Sequence, residues 1–373
     1  AFVRSSSGSG YDFEEVIFLW LGTGTLNDVD TGAKPALEET NRLKPSAGLD
    51  SVENSQIEGF ESVLSVSGAN VFVYGMAADC GDQCVTTESS RVVVSQSIFE
   101  CEDDCLRIEN SGGLSTEPDW ADLRQEIANS ELAGLNRAQV LATADRVIGL
   151  MGDDQVVINE VRALSTDAAL AVIGAENQGI SINGSFLGTR SSGSKAVDLQ
   201  STSNTNRIQN SVISAPISRT DALNFTYGQL RIENTFIDAG EQGIKVTDGG
   251  IILKQVSIAM DMANLQQACD KTFGSDTISS EGGNISPDDT CELNGPRDLE
   301  MTQAGLFMAN ESDNVPSFSP GAPELDRGAA ATGVNALPCS TTDMTGLPRP
   351  QDADGDGQAR CDSGPVERQA GGN

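Results

Sequence analysis

A short pattern repeated along the chain limits its fold more than any other feature. An apolar residue, any residue, Asn or Gln, two further residues and a second apolar residue recur as IQNSVI at 208–213, IENTFI at 232–237 and LKQVSI at 253–258. The final residues, Ile213, Ile237 and Ile258, follow one another at intervals of 24 and 21 residues. Such a period, built from short β-type runs without a helical stripe between them, is typical of a β-solenoid.

We therefore predict an all-β chain that forms a right-handed, single-stranded parallel β-helix, in which each repeat supplies one coil. Stacked coils lie roughly 4.8 Å apart, so equivalent side chains lie above one another. An inward Asn or Gln at the third position of the repeat would then pass amide hydrogen bonds along a ladder. The alternative is that these residues mark turns. Their recurrence in phase with the apolar residues favours the ladder.

Weaker copies of the pattern extend the solenoid towards the N-terminus. They are VENSQI at 52–57, FVYGMA at 72–77, VSQSIF at 94–99, IANSEL at 127–132, INEVRA at 158–163 and INGSFL at 182–187. The wide spacing before 127–132 predicts an excursion at 111–122, which contains Pro118 and Trp120. We expect coils throughout 51–267.

The remaining segments are expected to be less regular. Residues 1–50 contain a candidate strand and a loop, and 13–20 would cover the open end of the first coil. In residues 268–316 the repeat is lost, so we predict an excursion followed by a last strand at 306–308. Residues 317–373 are rich in Pro and Gly and form a loop-rich tail with an Asp-rich loop.

The net charge of the chain restricts the classes of molecule that it can bind. It has 373 residues, of which 23 are basic and 55 acidic, giving a net charge of −32. This surface repels nucleic acid and anionic membranes and attracts divalent cations. The chain has no His, so the commonest general base and metal ligand are absent. No run reaches the roughly 18 apolar residues of a membrane span.

Eight Cys residues predict disulfides, because none forms a zinc-type or haem-type motif. The separations from Cys80 to Cys101 and from Cys84 to Cys105 are both 21 residues, the length of a short coil. We therefore predict these two pairs across stacked coils. The rival pairing within each C-x-x-x-C requires the turn to fold back on itself.

The other four Cys residues lie nearer the C-terminus, and Cys269 and Cys291 would close a loop. Cys339 and Cys361 complete the set of disulfide Cys residues. Disulfides indicate an oxidising compartment. The chain begins at Ala1 without a charged and apolar leader, which fits removal of a signal peptide. We expect an extracellular or cell-surface protein.

Two acidic segments are candidate cation sites. In DADGDG at 352–357, alternating carboxylates and glycines resemble calcium loops, so Asp352, Asp354 and Asp356, with Asp362 added, are candidate calcium ligands. A full EF-hand is excluded because its twelfth position holds Ser363, and a solvated acidic turn is the alternative. A second cluster surrounds the two C-x-x-x-C motifs, where a surface turn is favoured over a cation site; it contains Asp79, Asp82, Glu100, Glu102, Asp103 and Asp104.

Polysaccharide cleavage on a β-helix needs either carboxylates on neighbouring coils or calcium with a basic residue. The residue after the last apolar position of successive repeats is Glu100, Ala133, Leu164, Gly188, Ser214, Asp238 and Ala259. No adjacent pair in this row is acidic. The best arrangement joins Asp238 to Asp261, with Arg219 or Lys245 as base, and it is too weak to assign a catalytic residue.

The tail carries a more specific resemblance. Its segments GAPELDRG at 321–328, CSTTD at 339–343, GLPRPQ at 346–351 and CDSGPVE at 361–367 resemble the C-terminal end of bacterial surface proteins with right-handed parallel β-helix repeats, called choice-of-anchor proteins. The similarity spans about 50 residues. It departs from the family at Glu324-Leu-Asp326, where Ala-Ile-Asp is usual, and at Met344-Thr345, where Arg is common. It implies a secreted or surface-anchored β-helix and little about chemistry.

These observations favour an extracellular structural or adhesive surface protein. Because the end coils of a solenoid expose unpaired strand edges, head-to-tail assembly into a filament is part of this hypothesis. The expected partner is another copy of the chain, or a cell-surface or glycan partner. The alternatives are a polysaccharide lyase or hydrolase and a calcium-dependent glycan-binding module.

Overall fold

The computed structural model describes most of the C-terminal half of the chain and shorter stretches of the N-terminal half. The described residues are 17–21, 25–27, 56–60, 64–67, 70–74, 77–80, 83–88, 91–95, 97–109, 156–175, 179–217, 219–260, 267–308, 315–319, 321–327, 339–352 and 358–369. They form strands, turns and irregular segments, and none of them is helical. Accordingly, this part of the chain contains no apolar helix of membrane-spanning length.

Three sheets run along the molecule, and successive strands of the chain visit them in rotation. The first sheet contains β1 (Ile17–Leu21), β5 (Asn70–Tyr74), β8 (Arg91–Ser95), β11 (Val156–Asn159), β14 (Ile180–Asn183), β17 (Asn206–Gln209), β20 (Gln229–Glu233), β23 (Gly250–Lys254) and β26 (Thr277–Gly282). The second sheet contains β2 (Thr25–Asn27), β4 (Leu64–Ser67), β7 (Val85–Glu88), β10 (Leu106–Glu109), β13 (Leu170–Ala175), β16 (Lys195–Ser201), β19 (Asp221–Thr226), β22 (Gln242–Thr247) and β25 (Gln267–Lys271).

The third sheet has eight strands. They are β3 (Gln56–Phe60), β6 (Ala77–Cys80), β9 (Ile98–Cys101), β12 (Arg162–Ser165), β15 (Phe186–Thr189), β18 (Val212–Ala215), β21 (Phe236–Ala239) and β24 (Ser257–Met260). In each of the three sheets the strands from β3 to β26 pair in parallel with the strand of the next coil. A separate antiparallel pair joins β27 (Leu306–Phe307) to β28 (Ser317–Phe318). The chain is therefore a parallel β-solenoid, as its repeats predict.

The repeated pattern forms the corner between the first and third sheets. Its last residue begins the inward-facing row of the third sheet, where Ile213 lies between Leu187 and Ile237 of the neighbouring coils. These side chains are fully buried, and burial of each stabilises the fold by about 1.5–3 kcal/mol. The apolar periodicity thus specifies the core.

Three details of the predicted coils are corrected. Val73, not Phe72, is in register with Val94, so the copy at 72–77 is displaced by one residue. The copy at 127–132 lies outside the described residues, and β8, β9 and β10 pair directly with β11, β12 and β13. No coil therefore separates these strands within the three sheets. The ladders also continue through β25 and β26, beyond the predicted end at 267.

The Asn and Gln residues of the pattern occupy turns. Asn210, Asn234 and Gln255 have φ angles of 48°, 46° and 54°, and Gly184 has 60° at the same corner. Left-handed backbone suits Gly and Asn best. The amide of Asn234 donates to Ser340 Oγ at 3.3 Å instead of to the next coil. Asn210 donates across coils, to Asn183 Oδ1 at 3.5 Å, but Asn183 is at the second position of its repeat. The turn interpretation is therefore correct, and no continuous ladder joins the third-position amides of the described coils.

The Cys residues of the two C-x-x-x-C motifs form a buried stack. Cys80 is in register with Cys101, as predicted, yet the disulfides join Cys80 to Cys84 and Cys101 to Cys105. The predicted cross-coil pairing is therefore wrong. In-register side chains on parallel strands point the same way and stay nearly as far apart as the strands, beyond the usual Cβ separation of about 3.8 Å. The corner instead brings Cys80 and Cys84 to 5.5 Å between Cα atoms.

Both ends of the solenoid carry caps. At the N-terminal end, β1 and β2 pair antiparallel with β5 and β4, which agrees with the predicted covering strand. At the C-terminal end, Asp288 and Thr290 accept hydrogen bonds from the backbone N–H groups of Ala268 and Cys269 on the edge strand β25. The predicted Cys269–Cys291 disulfide holds this segment in place.

Candidate functional site

The outer face of the third sheet presents two rows of side chains. The parallel register stacks Ile98, Arg162, Phe186, Val212, Phe236 and Ser257 in the first row, and Glu100, Leu164, Gly188, Ser214, Asp238 and Ala259 in the second. The second row is the one predicted from the repeats, apart from Ala133, which lies outside the described residues. Both rows face away from the core because strand side chains alternate.

The C-terminal segment folds back over this face. Leu164, Phe186, Val212 and Phe236 of the sheet form a second apolar cluster with Leu306 and Val366. An outer face that would otherwise meet water is therefore buried by the tail. The tail is part of the folded body in the described residues.

A buried carboxylate joins the tail to the last coils. Glu324 is fully buried, and its Oε1 accepts hydrogen bonds from Ser257 Oγ at 2.6 Å, Gly305 N at 2.8 Å and Leu306 N at 3.2 Å. Gly364 N also donates to the carbonyl of Gln255 at 2.8 Å. We call the contacts of Glu324 the tail clasp.

Other charged residues of the tail hold its own loops together. Asp362 Oδ1 and Oδ2 accept from the N–H groups of Asp326 and Arg368, each at 2.7 Å. Glu367 accepts from Gln351 N and Asp362 N, and Arg349 Nη1 lies 3.5 Å from Glu367 Oε2. Burial raises the pKa of Asp362 to about 7 and that of Glu367 to about 8. The structure thus gives Asp362 a structural role within the tail.

The candidate calcium loop is only partly described. Asp354 and Asp356 lie outside the described residues, and Asp352 is partly buried at the edge of the loop. Asp362 is fully buried, with both carboxylate oxygens bonded to backbone N–H groups. Cys339 and Cys361 form a disulfide beside this loop.

A cleft of about 560 Å³ lies between the third sheet and the C-terminal segment. We call it the tail cleft. Its walls include Ile98, Arg162 and Phe186 from the sheet, Met344 from the tail, and Val315 from the segment just before it. Ile98 and Val315 are 47% and 38% exposed. Large apolar side chains exposed in a concave surface are typical of an interaction site.

Two arginines beside the tail cleft are paired with Glu100, and Glu160 also lines the cleft. Arg162 Nη1 lies 3.0 Å from Glu100 Oε1, and Arg190 Nη1 lies 4.0 Å from Glu100 Oε2. Glu100, predicted as part of an acidic cluster, is therefore engaged with two guanidinium groups. The tail cleft thus combines apolar walls with a polar rim in which Arg162 is paired with Glu100.

A smaller cavity of about 160 Å³ surrounds Asp238. We call it the Asp238 pocket; its walls include Leu164, Phe186, Ser214 and Met308. The Ser214 hydroxyl donates to the Asp238 carboxylate, and burial raises the pKa of Asp238 to about 6. The pocket places one carboxylate in mostly apolar surroundings.

The catalytic arrangement considered from sequence is not assembled around Asp238. Lys245 belongs to β22 of the second sheet, where its Nζ lies 3.7 Å from Asp270 Oδ2. Arg219 is exposed at the turn before β19, and Asp261 lies outside the described residues. The in-register neighbours of Asp238 are Ser214 and Ala259, so these coils supply a single carboxylate.

The acidic cluster at the C-x-x-x-C corner is partly realised. Asp103, Asp104 and Asp167 place carboxylate oxygens within 4.8 Å of one another, while the side chains of Asp79 and Asp82 lie outside the described residues. Burial, then the charges of Asp103 and Asp167, raise the pKa of Asp104 to about 6. Carboxylate oxygens suit calcium, but Arg107 Nη1 already lies 3.0 Å from Asp104.

Sequence reasoning missed the exposed apolar residues of the tail cleft and the role of Glu324. The outward position of Ile98 follows from the repeat, but Val315 and Met344 meet it only through the path of the tail. Comparison with family models, curated proteins and solved structures found no match to this chain.

Proposed function

We propose that the protein is an extracellular adhesive protein, of the bacterial surface type that its tail resembles, and that it binds an extended segment of a partner protein in the tail cleft. The observation that carries this proposal is the cleft itself, with exposed Ile98 and Val315 facing it. Four disulfides and a clasped tail provide a rigid frame, which lowers the entropy cost of binding.

Aliphatic walls favour a peptide over a glycan. Saccharide sites usually offer exposed aromatic faces and unpaired polar groups, whereas Phe186 is buried and Arg162 is paired with Glu100. The net charge of −32 favours a neutral or basic partner segment. Among the described residues, Asp288 and Thr290 occupy backbone N–H groups of the edge strand β25, which disfavours head-to-tail growth of a filament at that edge.

The test uses the full chain with its disulfides intact, labelled and applied to a peptide array and a glycan array. We expect Ile98→Asp to remove binding to those peptides that bind the wild type. Phe273→Asp is the matched control, because Phe273 is 48% exposed and lies in a turn between β25 and β26, outside the cleft walls.

Three results would contradict the proposal. Equal binding by wild type and Ile98→Asp would remove the cleft as the site, and binding confined to glycans would replace the peptide partner with a carbohydrate. Release of saccharides from polysaccharides incubated with the protein and calcium would restore the enzyme hypothesis.

A further inference from the structure

The Asp238 pocket combines apolar walls with a carboxylate, and the proposed adhesive role does not use this combination. Leu164, Phe186 and Met308 give it apolar walls, while Asp238 and Ser214 contribute oxygen atoms. An ideal Cβ on Gly188 would lie 3.0 Å from Phe186 Cε1, so the aromatic ring lies directly against this glycine. The Phe186 ring that borders the pocket is therefore held in place by close packing.

Asp238 brings a charge into this apolar space. The ion pairs found among the described residues do not include Asp238, and its pKa is set by burial and by the Ser214 hydroxyl alone. Asp238 is partly buried, and a partly buried carboxylate gains from a cation or further hydrogen-bond donors beside it. Above the pKa of about 6, the pocket therefore presents a carboxylate whose hydrogen-bond partner is Ser214.

We propose that the Asp238 pocket binds a primary alkyl ammonium group. Its N–H donors would reach the Asp238 carboxylate and Ser214 Oγ, and the Phe186 ring would add a cation–π contact. The alkyl stem would pack against Leu164 and Met308. A volume of about 160 Å³ holds several water-sized groups of about 30 Å³ each, which fits a short stem.

Other cations fit this pocket less well. Calcium needs six to eight oxygen ligands, whereas Asp238 and Ser214 offer few. A guanidinium has five N–H donors in a planar fork, too many for these acceptors. Arg190 also borders the pocket, but it is exposed and has Glu100 as an ion-pair partner at 4.0 Å.

The same ammonium chemistry occurs in free alkylamines and in lysine side chains. Pentylamine represents the first source and Nα-acetyl-lysine N-methylamide the second, and 1-pentanol is a neutral comparator of similar shape. The inference is independent of the adhesive role, since it concerns a different cavity.

The experiment is isothermal titration calorimetry of the full chain at pH 8 and low salt, where Asp238 is ionised and the amines are protonated. We expect pentylamine to bind and 1-pentanol to bind at least about tenfold more weakly. Asp238→Asn, which keeps the side-chain shape, should weaken pentylamine binding at least about tenfold. Binding of the lysine derivative as well would extend the site to lysine side chains, and its absence would restrict the site to free amines.

Two control variants make the test specific. Asp198→Asn removes one negative charge from the outer face of the second sheet, where Asp198 contacts Lys195 and Asn224, and should leave binding unchanged. Arg190→Gln should leave binding unchanged or strengthen it. Failure of both amines to bind, equal binding of 1-pentanol, or equal loss in Asp238→Asn and Asp198→Asn would overturn the proposal.

Discussion

The tail clasp makes a quantitative prediction about Glu324. In Glu324→Ala, the buried N–H groups of Gly305 and Leu306 lose their acceptor. An unsatisfied buried donor costs about 1–3 kcal/mol, so two of them predict a loss of about 2–6 kcal/mol. Ser257 Oγ loses its 2.6 Å bond as well, but a hydroxyl rotates and finds other partners more easily.

A conservative variant separates charge from shape. Glu324→Gln keeps one side-chain oxygen, which can still accept from some of these donors. Because a neutral acceptor forms weaker hydrogen bonds than a carboxylate, this variant should lose about 1–3 kcal/mol of unfolding free energy. Glu292→Gln is the control, because Glu292 is mostly exposed and pairs only with Lys271 at 2.7 Å. Exposed ion pairs contribute about 0–1 kcal/mol.

Urea denaturation measures the stability of these variants, and hydrogen exchange locates the change. Peptides containing Gly305 and Leu306 should exchange slowly in the wild type and rapidly in Glu324→Ala, while peptides from β17 to β21 stay protected. The reasoning is refuted if Glu324→Ala unfolds within about 0.5 kcal/mol of the wild type, or if exchange rises equally in the coils.

Three further predictions follow from the disulfides, the tail carboxyls and the Asp-rich loop. Since each C-x-x-x-C closes on itself, trypsin cleavage at Arg91 without reductant should release the two motifs in separate peptides; peptides that stay joined until reduction would contradict the pairing. Folded Asp362 and Glu367 hold protons more tightly than the unfolded chain between about pH 4 and 8, so stability should fall as pH rises through this window; a melting temperature in Asp362→Asn that depends on pH as strongly as the wild type would refute this. If 352–357 binds calcium, replacing Asp354 and Asp356 with Asn should lower the melting temperature in millimolar calcium but not in chelator, and equal wild-type melting in both conditions would remove the site.

The spacing of apolar residues predicted the buried core correctly, because each coil places the same position of the repeat in the same environment. Ile213, Ile237 and Ile258 stack as their spacing predicts, and the outward row that follows them, including Asp238, was correct in the described coils. Register is strongly determined in such a sheet, since a slip of one residue would turn the core outward. The slip at Phe72 arose where Val71, Phe72 and Val73 are all apolar, so periodicity alone did not distinguish the inward face.

Contacts between coils and the tail were beyond the reach of the repeat. Nothing in the spacing of Glu324 indicates that it would meet Gly305 and Ser257, because the path of an irregular tail is set by pairings of distant residues. The disulfide error has a related cause: the 21-residue separation specifies which Cys residues stack, but the direction of Cβ at the corner specifies which of them bond.

The organisation of the third sheet has a physical consequence for how such a chain gains a binding site. A solenoid coil is uniform, and its outer face alone offers only rows of repeated side chains. When Leu306 and Val366 of the C-terminal segment pack on Val212 and Phe236, they bury part of that face, and cavities remain beside the buried part. Val315 and Met344 of the C-terminal segment border the tail cleft, and Met308 borders the Asp238 pocket. Phe186 of the third sheet lines both cavities. Binding at either cavity should therefore depend on the tail clasp as well as on the side chains that line it.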